Sequence, residues 1–477
     1  MVPPHRGVAP LALLALGLLA CASTEVAVPQ VQELYRSRAQ REGPVTRPLV
    51  VIPGLLGSTL IHSGTKVWGS FTSDASDPST ARGARLLSLP FVGEGERTPP
   101  DDGLEVGGTL GGLELDLIGI PFKLSAYVQI VDALGIGGYA GREGGGALER
   151  TPSQGYSCFQ FSYDWRRSNA HNARYLYLFL RSAREIVRRE NLRRYGSSPP
   201  IKFDIVAHSM GSLLTRYCLR YGDAPLPPLD LEPRPTWKGA ELVERVIMIG
   251  APNAGSSQAM VELLQGVSFA PILPRYPAAL LGTFESGYEL LPRSRHRRIR
   301  GPRGQPIADL YDPELWISRG WGLASPAADD FLARVLPDAS PPARREAARR
   351  HLRHCLDNAR RLQRALDVES APPPGLELFL IAGDAVRTKD VLWIADDGRP
   401  QVRSRTLGDG TVTRASALLD ERVGSDSAAR RVASPIRWRG VHFIFSDHLG
   451  MTAEPSFVDN VLYLLLDAPR ASDRAGG

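Results

Sequence analysis

Four stretches of this chain are apolar almost from end to end, and each runs into a glycine-bearing turn: "RPLVVIPGLLGSTL", "IKFDIVAHSMG", "VERVIMIGAPNAGS" and "LELFLIAGDAV". A strand with one solvated face alternates apolar and polar residues. A continuous apolar run needs cover on both faces, the situation of strands in parallel sheets. Between the first two runs, "ARYLYLFLRSAREIVRREN" places its apolar residues at helical spacing. Strands alternating with helices predict an α/β fold with a mostly parallel central sheet flanked by helices. At 477 residues and 43% hydrophobic content, the chain is long enough for one large domain with an insertion, or for two domains.

The pattern breaks over residues 258–373. Loops rich in proline and arginine ("ILPRYPAALLGTF", "PRSRHRRIRGPRG") precede a long helix predicted over 341–366. Ala348, Leu352, Cys355, Leu356, Ala359, Leu362 and Leu366 form one apolar stripe, with arginines on the other face. Ser340 is placed to be the N-cap and Pro341 the first helical residue. The stripe is expected to pack on the main domain; the alternative is a mobile cap whose arginines touch a membrane. The expected organisation is a core of 48–257 plus 374–470, interrupted by a largely helical cap over 258–373.

Ser209 stands in "AHSMG", where a strand-like run gives way to a helix-like one. This is the nucleophile-elbow pattern G-x-S-x-G with alanine in first place. So abrupt a turn brings the residues two before and two after the serine together, so both must be small; Ala207 adds only a methyl. A serine hydroxyl needs a base to take its proton, and the base needs a carboxylate to orient it and stabilise its charged form. In such folds the order along the chain is Ser, then Asp or Glu, then His. Asp409 in "TLGDGTVTRASAL", in a glycine-flanked turn after a strand, and His448 in "VHFIFSDHLGMT", just beyond an apolar run, fit that order. Asp384 in "AGDAV" and His442 inside its own apolar run are rivals, and His208 touches the elbow with its side chain directed away from Ser209. Acyl transfer also needs donors for the oxyanion. The amide of Met210, after the nucleophile, is one. The turn "PGLLG" offers the other at Leu55, with Gly54 free in backbone angle.

Taken together, "VVIPGLLGSTL", "FSYDWRRS", "IVAHSMGSLL", "IGAPNAGS", "GDGTVTRAS" and "DHLGMT" resemble the lecithin:cholesterol acyltransferase family and the related lysosomal phospholipases and transacylases. They come in the family's order, and "YDWR" at 163–166 is the most specific. The resemblance implies an α/β-hydrolase fold. It matches Ser209, Asp409 and His448 to the family triad and Leu55 and Met210 to its oxyanion positions, so Asp384 and His442 drop out. The family's animal members carry a disulfide-closed lid after the first turn. Here the corresponding segment, 63–106, has no cysteine and reads as loose and polar. Trp68 within it is a candidate acyl or headgroup contact, against simple packing.

The start of the chain, "MVPPHRG" then "VAPLALLALGLLA", is a basic region followed by an apolar core too short to span a bilayer. It ends in "LLAC" and resembles a bacterial lipoprotein signal, with 1–20 removed, Cys21 lipidated and 21–47 as a tether; an ordinary secretory signal is the alternative. Either predicts a location outside the cytoplasm. Cys158, Cys218 and Cys355 are odd in number and not at metal-ligand spacing, so buried free thiols are expected and no metal site. The net charge of +6, nearly all its basic residues arginine, comes with no nucleic-acid-binding motif. The expected activity is transfer of an acyl group from a phospholipid or other lipid ester to an alcohol or water, through an acyl-enzyme, at a membrane surface and without a cofactor. The alternatives are a general lipase or carboxylesterase of the same fold and a lipid-binding lipoprotein without turnover.

Overall fold

The strands are positioned by the continuous apolar runs, and six of them form one sheet in the computed structural model. It describes residues 30–31, 33–35, 43–70, 73–109, 130, 133–134, 158–268, 274–424 and 431–471, so the Cys21 expectation lies outside the described residues. The strands are β1 (Leu49–Ile52), β2 (Cys158–Gln160), β3 (Phe203–His208), β4 (Val243–Ile249), β5 (Glu377–Gly383) and β6 (Gly440–Ile444). Their order is β6-β5-β4-β3-β1-β2, and every neighbouring pair is parallel. β1, β3, β4 and β5 are buried at every residue, as continuous apolar runs require, whereas edge strand β6 buries only Ile444.

Successive side chains divide between two cores. Val50, Ile52, Ile205, Ala207, Val246 and Met248 face one; Leu49, Val51, Val206, Ile247 and Ile249 face the other. Helices α1 (Asn169–Tyr195) and α2 (Gly211–Tyr221) join the first core, and α5 (Pro455–Leu462) joins the second through Phe457 and Val461. α1 opens on Ser168, whose hydroxyl accepts the Ala170 N–H, and closes on Gly196 in the left-handed region. Between β4 and β5 lie α3 (Ser257–Gln265), several short helices and α4 (Pro341–Asp367).

α4 begins with Pro341 after Ser340, as expected, although the Ser340 hydroxyl makes no capping bond. All seven stripe residues are buried. Arginines of α2 meet the carbonyls at its C-terminus: Arg216 Nη2 donates to Leu366 O at 2.7 Å and Arg220 Nη1 to the same oxygen at 3.3 Å. Cations there complement the exposed carbonyls and the helix dipole. This holds α4 against the helix that leaves the Ser209 elbow. Cys158, Cys218 and Cys355 are free and buried. Among the described residues, no helix is long and apolar enough to cross a membrane.

Candidate active site

Ser209 follows the last residue of β3 and has φ +50, a left-handed angle that is costly for any residue with a side chain. Its N–H donates to Ile249 O at 2.7 Å, tying the elbow to the end of β4. The next position but one admits only glycine, because a Cβ on Gly211 would stand 2.4 Å from Pro53 O and 2.9 Å from Ile52 O. The turn after β1 therefore passes directly against the elbow. Met210 directly precedes α2, where backbone N–H groups have no intrahelical acceptor. The turn that carries Leu55 thus leaves β1 against the residue that follows Met210.

The structure places Asp409 and His448 beyond the C-terminal ends of the sheet strands and brings them to Ser209. Asp409 Oδ2 lies 2.7 Å from His448 Nδ1, and His448 Nε2 lies 3.0 Å from Ser209 Oγ. A carboxylate only accepts, so Nδ1 carries the proton and Nε2 is left to accept from the hydroxyl. Asp409 Oδ1 accepts the N–H groups of Thr411 at 2.9 Å and Val412 at 2.6 Å. Burial raises the cost of its charge, but His448 and these amides outweigh it and hold the carboxyl below its ordinary value. Burial likewise opposes charge on His448, yet the Asp409 carboxylate and its hydrogen bond prevail and raise the imidazole. Gly250, at φ +55, makes room: a Cβ there would come within 3.1 Å of the His448 ring. Ser209 and His448 remain partly accessible.

The rivals are engaged elsewhere. Asp384 pairs with Arg414 at 3.1 Å, and His442 sits in edge strand β6 paired with Ile381 of β5. His208 is engaged with His448: its Nε2 is 3.1 Å from His448 O, and the two rings are 4.9 Å apart. Burial, then the nearby His448, pushes His208 down to about 3, so it is neutral and donates to that carbonyl.

Trp68, the candidate acyl or headgroup contact, packs into the core. It is wholly buried, edge-on to Trp165 and Tyr276, and its Nε1 donates to Leu56 O at 2.8 Å. Leu56 has φ +65, and the bond pins this strained turn. Tyr163 Oη donates to Pro53 O at 2.9 Å and Trp165 Nε1 to Ser58 O at 3.0 Å, so residues of "YDWR" anchor the same turn. Arg166, with no exposure, accounts for the rest of the motif. It grips Asp164 through two bonds (3.0 and 2.8 Å), Asp102 at 2.7 Å, Leu86 O at 3.2 Å and Ser88 O at 2.9 Å. The segment over 63–106 is consequently tied to the core by a buried guanidinium, where its polar composition reads as loose. The quoted motif marked these residues; nothing local disclosed what they hold.

Residues 153–302 match the family model described as LCAT: Lecithin:cholesterol acyltransferase. No curated protein matches the chain. Among solved structures, a chain of the Tle4-Tli4 complex is similar with a TM-score of 0.51 at 15% identity, covering 89% of this chain and 98% of that one. The mature form of the Bacillus licheniformis lipase BlEst2 aligns over 90% of this chain and 94% of its own, with a TM-score of 0.32 at 12% identity. The chain has the α/β-hydrolase fold, and over residues 153–302 it is similar to the lecithin:cholesterol acyltransferase family.

Proposed function

We propose that the chain is a serine acyltransferase or phospholipase acting on lipid esters, with Ser209 as nucleophile, His448 as base and Asp409 as the group that orients it. The observation that carries the reading is the unbroken hydrogen-bonded chain from Ser209 Oγ through the imidazole to Asp409. Ser209 Oγ attacks the ester carbonyl carbon while its proton passes to His448 Nε2. The negative oxygen accepts from the Leu55 and Met210 amides, donors that need no reorganisation. Collapse breaks the ester C–O bond, and the departing alkoxide takes the proton from Nε2. An alcohol or water then attacks the acyl-serine, giving its proton to Nε2, which returns it to Ser209 Oγ.

A fluorophosphonate probe tests the nucleophile: wild type is expected to label and Ser209→Ala is not. Full labelling of the variant rejects Ser209. Product analysis on vesicles of phospholipid with a long-chain alcohol separates the two outcomes, free fatty acid marking hydrolysis and an esterified alcohol marking transfer. Turnover of soluble short-chain esters alone favours a general carboxylesterase.

A further inference from the structure

The hairpin that delivers Asp409 carries an outer face unlike the rest of the site. Its strands, Val386–Lys389 and Arg405–Gly408, are antiparallel, with Arg387 opposite Leu407 and Lys389 opposite Arg405. Directly opposed residues share a face, as do residues two apart, so Arg387, Lys389, Arg405 and Leu407 all stand on one side. Thr388 and Gly408, on the other side, are buried. Arg387 and Arg405 reach across to each other's strand: Arg387 Nη2 donates to Arg405 O at 3.5 Å and Arg405 Nη1 to Arg387 O at 3.4 Å. Each guanidinium is thereby held on the partner strand, and among the described residues neither forms an ion pair. Lys389 bonds Gln258, and the nearby Glu262 is the carboxylate facing it. Burial first, and Arg405 second, hold its ammonium below the ordinary value.

Three exposed apolar side chains stand on the segments that carry Asp409 and His448. Leu407 is 52% exposed, Leu449 38% and Phe445 84%. Leu407 is two residues from Asp409, and Leu449 follows His448. Phe445 is linked to the hairpin across one turn: Asp384 N–H donates to Ile444 O at 3.1 Å, and Val386 bridges to Asp409. Arginines with no ion pair among the described residues, sharing a face with exposed Leu407 and joined through the chain to exposed Phe445 and Leu449, suit a surface that offers anionic headgroups above hydrocarbon.

We propose that the face formed by Arg387, Arg405 and Leu407, together with Phe445 and Leu449, docks the mouth of the Ser209 site on an anionic phospholipid bilayer. This rests on the proposed lipid-ester reading and adds to it the charge of the surface from which the donor is taken. Docked this way, the guanidiniums meet headgroup phosphates, while Phe445 and Leu449 enter the acyl boundary next to His448.

The test measures partitioning of the full chain onto phosphatidylcholine vesicles with and without phosphatidylglycerol, at low and high salt. Wild type is expected to bind the anionic vesicles more tightly and to be released by salt. Arg387→Gln with Arg405→Gln should lose roughly tenfold or more of that affinity, at about 1 kcal/mol per surface cation. Phe445→Ser should lose binding to both kinds of vesicle. Arg188→Gln with Arg193→Gln removes the same charge from ion-paired positions on α1 and should lose far less. Equal binding to both vesicles, no binding to either, or an equal loss in the two arginine pairs would overturn the proposal. Fluorophosphonate labelling of Ser209 without vesicles reports on the catalytic reading separately, so each can fail alone.

Discussion

At the residue scale, the site is an arrangement in which small groups are demanded by contact. Gly211 shows this most plainly. Glycine inside a helix ordinarily costs about 1 kcal/mol relative to alanine, so Gly211→Ala would be stabilising in an open helix. Here the added methyl meets Pro53 O at 2.4 Å and Ile52 O at 2.9 Å, backbone atoms that cannot yield as a flexible side chain would. We expect Gly211→Ala to destabilise by about 1–3 kcal/mol, as overpacking does, and to depress turnover by displacing the Leu55 turn; urea melts and ester kinetics check both. Asp409→Asn keeps the shape but loses the acceptor that fixes the tautomer. Turnover is expected to fall by about four orders of magnitude, as for the equivalent change in a serine protease triad. In the proposed mechanism His448 must be neutral to accept the Ser209 proton, and Asp409 raises its pKa against the opposing effect of burial. The acid limb of kcat/KM is therefore expected above the ordinary histidine value, with activity falling as pH drops through it. A limb below pH 6.5 would contradict this.

At the scale of elements, short segments are tied to one another by buried polar groups. The 53–58 turn hangs from Tyr163, Trp165 and Trp68. Tyr163→Phe removes one hydrogen bond, worth about 1 kcal/mol, and leaves the Pro53 carbonyl without it. The expected result is a modest loss of stability, a fall in kcat with KM little changed, and slower fluorophosphonate labelling. A role in packing alone predicts that labelling, measured on folded protein, stays at the wild-type rate. A second such tie lies where α1 begins. Glu289 accepts the Asn169 N–H at 2.7 Å and Asn169 Nδ2 at 2.6 Å, and Glu285 accepts the Ser168 N–H at 3.0 Å. Burial pushes the Glu289 carboxyl up to about 8 from an ordinary 4.5; the Asn169 amide resists this and neighbouring Glu285 adds to it. The folded chain then keeps a proton that the unfolded chain releases. Stability from this group is full below pH 4.5 and is lost as pH rises toward about 8. Glu289→Gln is expected to flatten that decline in thermal melts recorded across the range.

Across the whole molecule, the C-terminal segment closes the fold from the end of the sheet opposite the site. Arg470 reaches Asp204 of β3 at 2.9 and 2.6 Å and Glu244 at 3.1 Å, while Arg47 holds Glu244 at 2.7 Å. Asp204 has no exposure, and burial raises its carboxyl despite Arg470. Arg470→Met would leave that carboxylate buried without its main partner, a loss of about 3–5 kcal/mol. The urea midpoint is expected to drop accordingly. β3 ends next to Ser209, so the same lesion should loosen the elbow from a distance.

Much of the architecture was open to reading from the chain. The parallel sheet follows from runs such as "VERVIMI", whose continuous apolarity has few other uses, and α4 follows from the repeat of its stripe. Both patterns are local, because each residue's burial depends on the geometry of its own element. The elbow was legible for the same reason: steric demands within a single turn select its small residues. The pairing of Asp409 and His448 with Ser209 was legible in part, since fold order narrows the candidates and the resemblance removed Asp384 and His442. Tertiary structure alone decided that Trp68 faces inward to Leu56, that Arg166 secures the 63–106 segment, and that Arg387 and Arg405 share a face and form no ion pair among the described residues. Those outcomes depend on residues brought together across many intervening positions, and a partner supplied by another part of the chain leaves no mark on the sequence around the residue it holds.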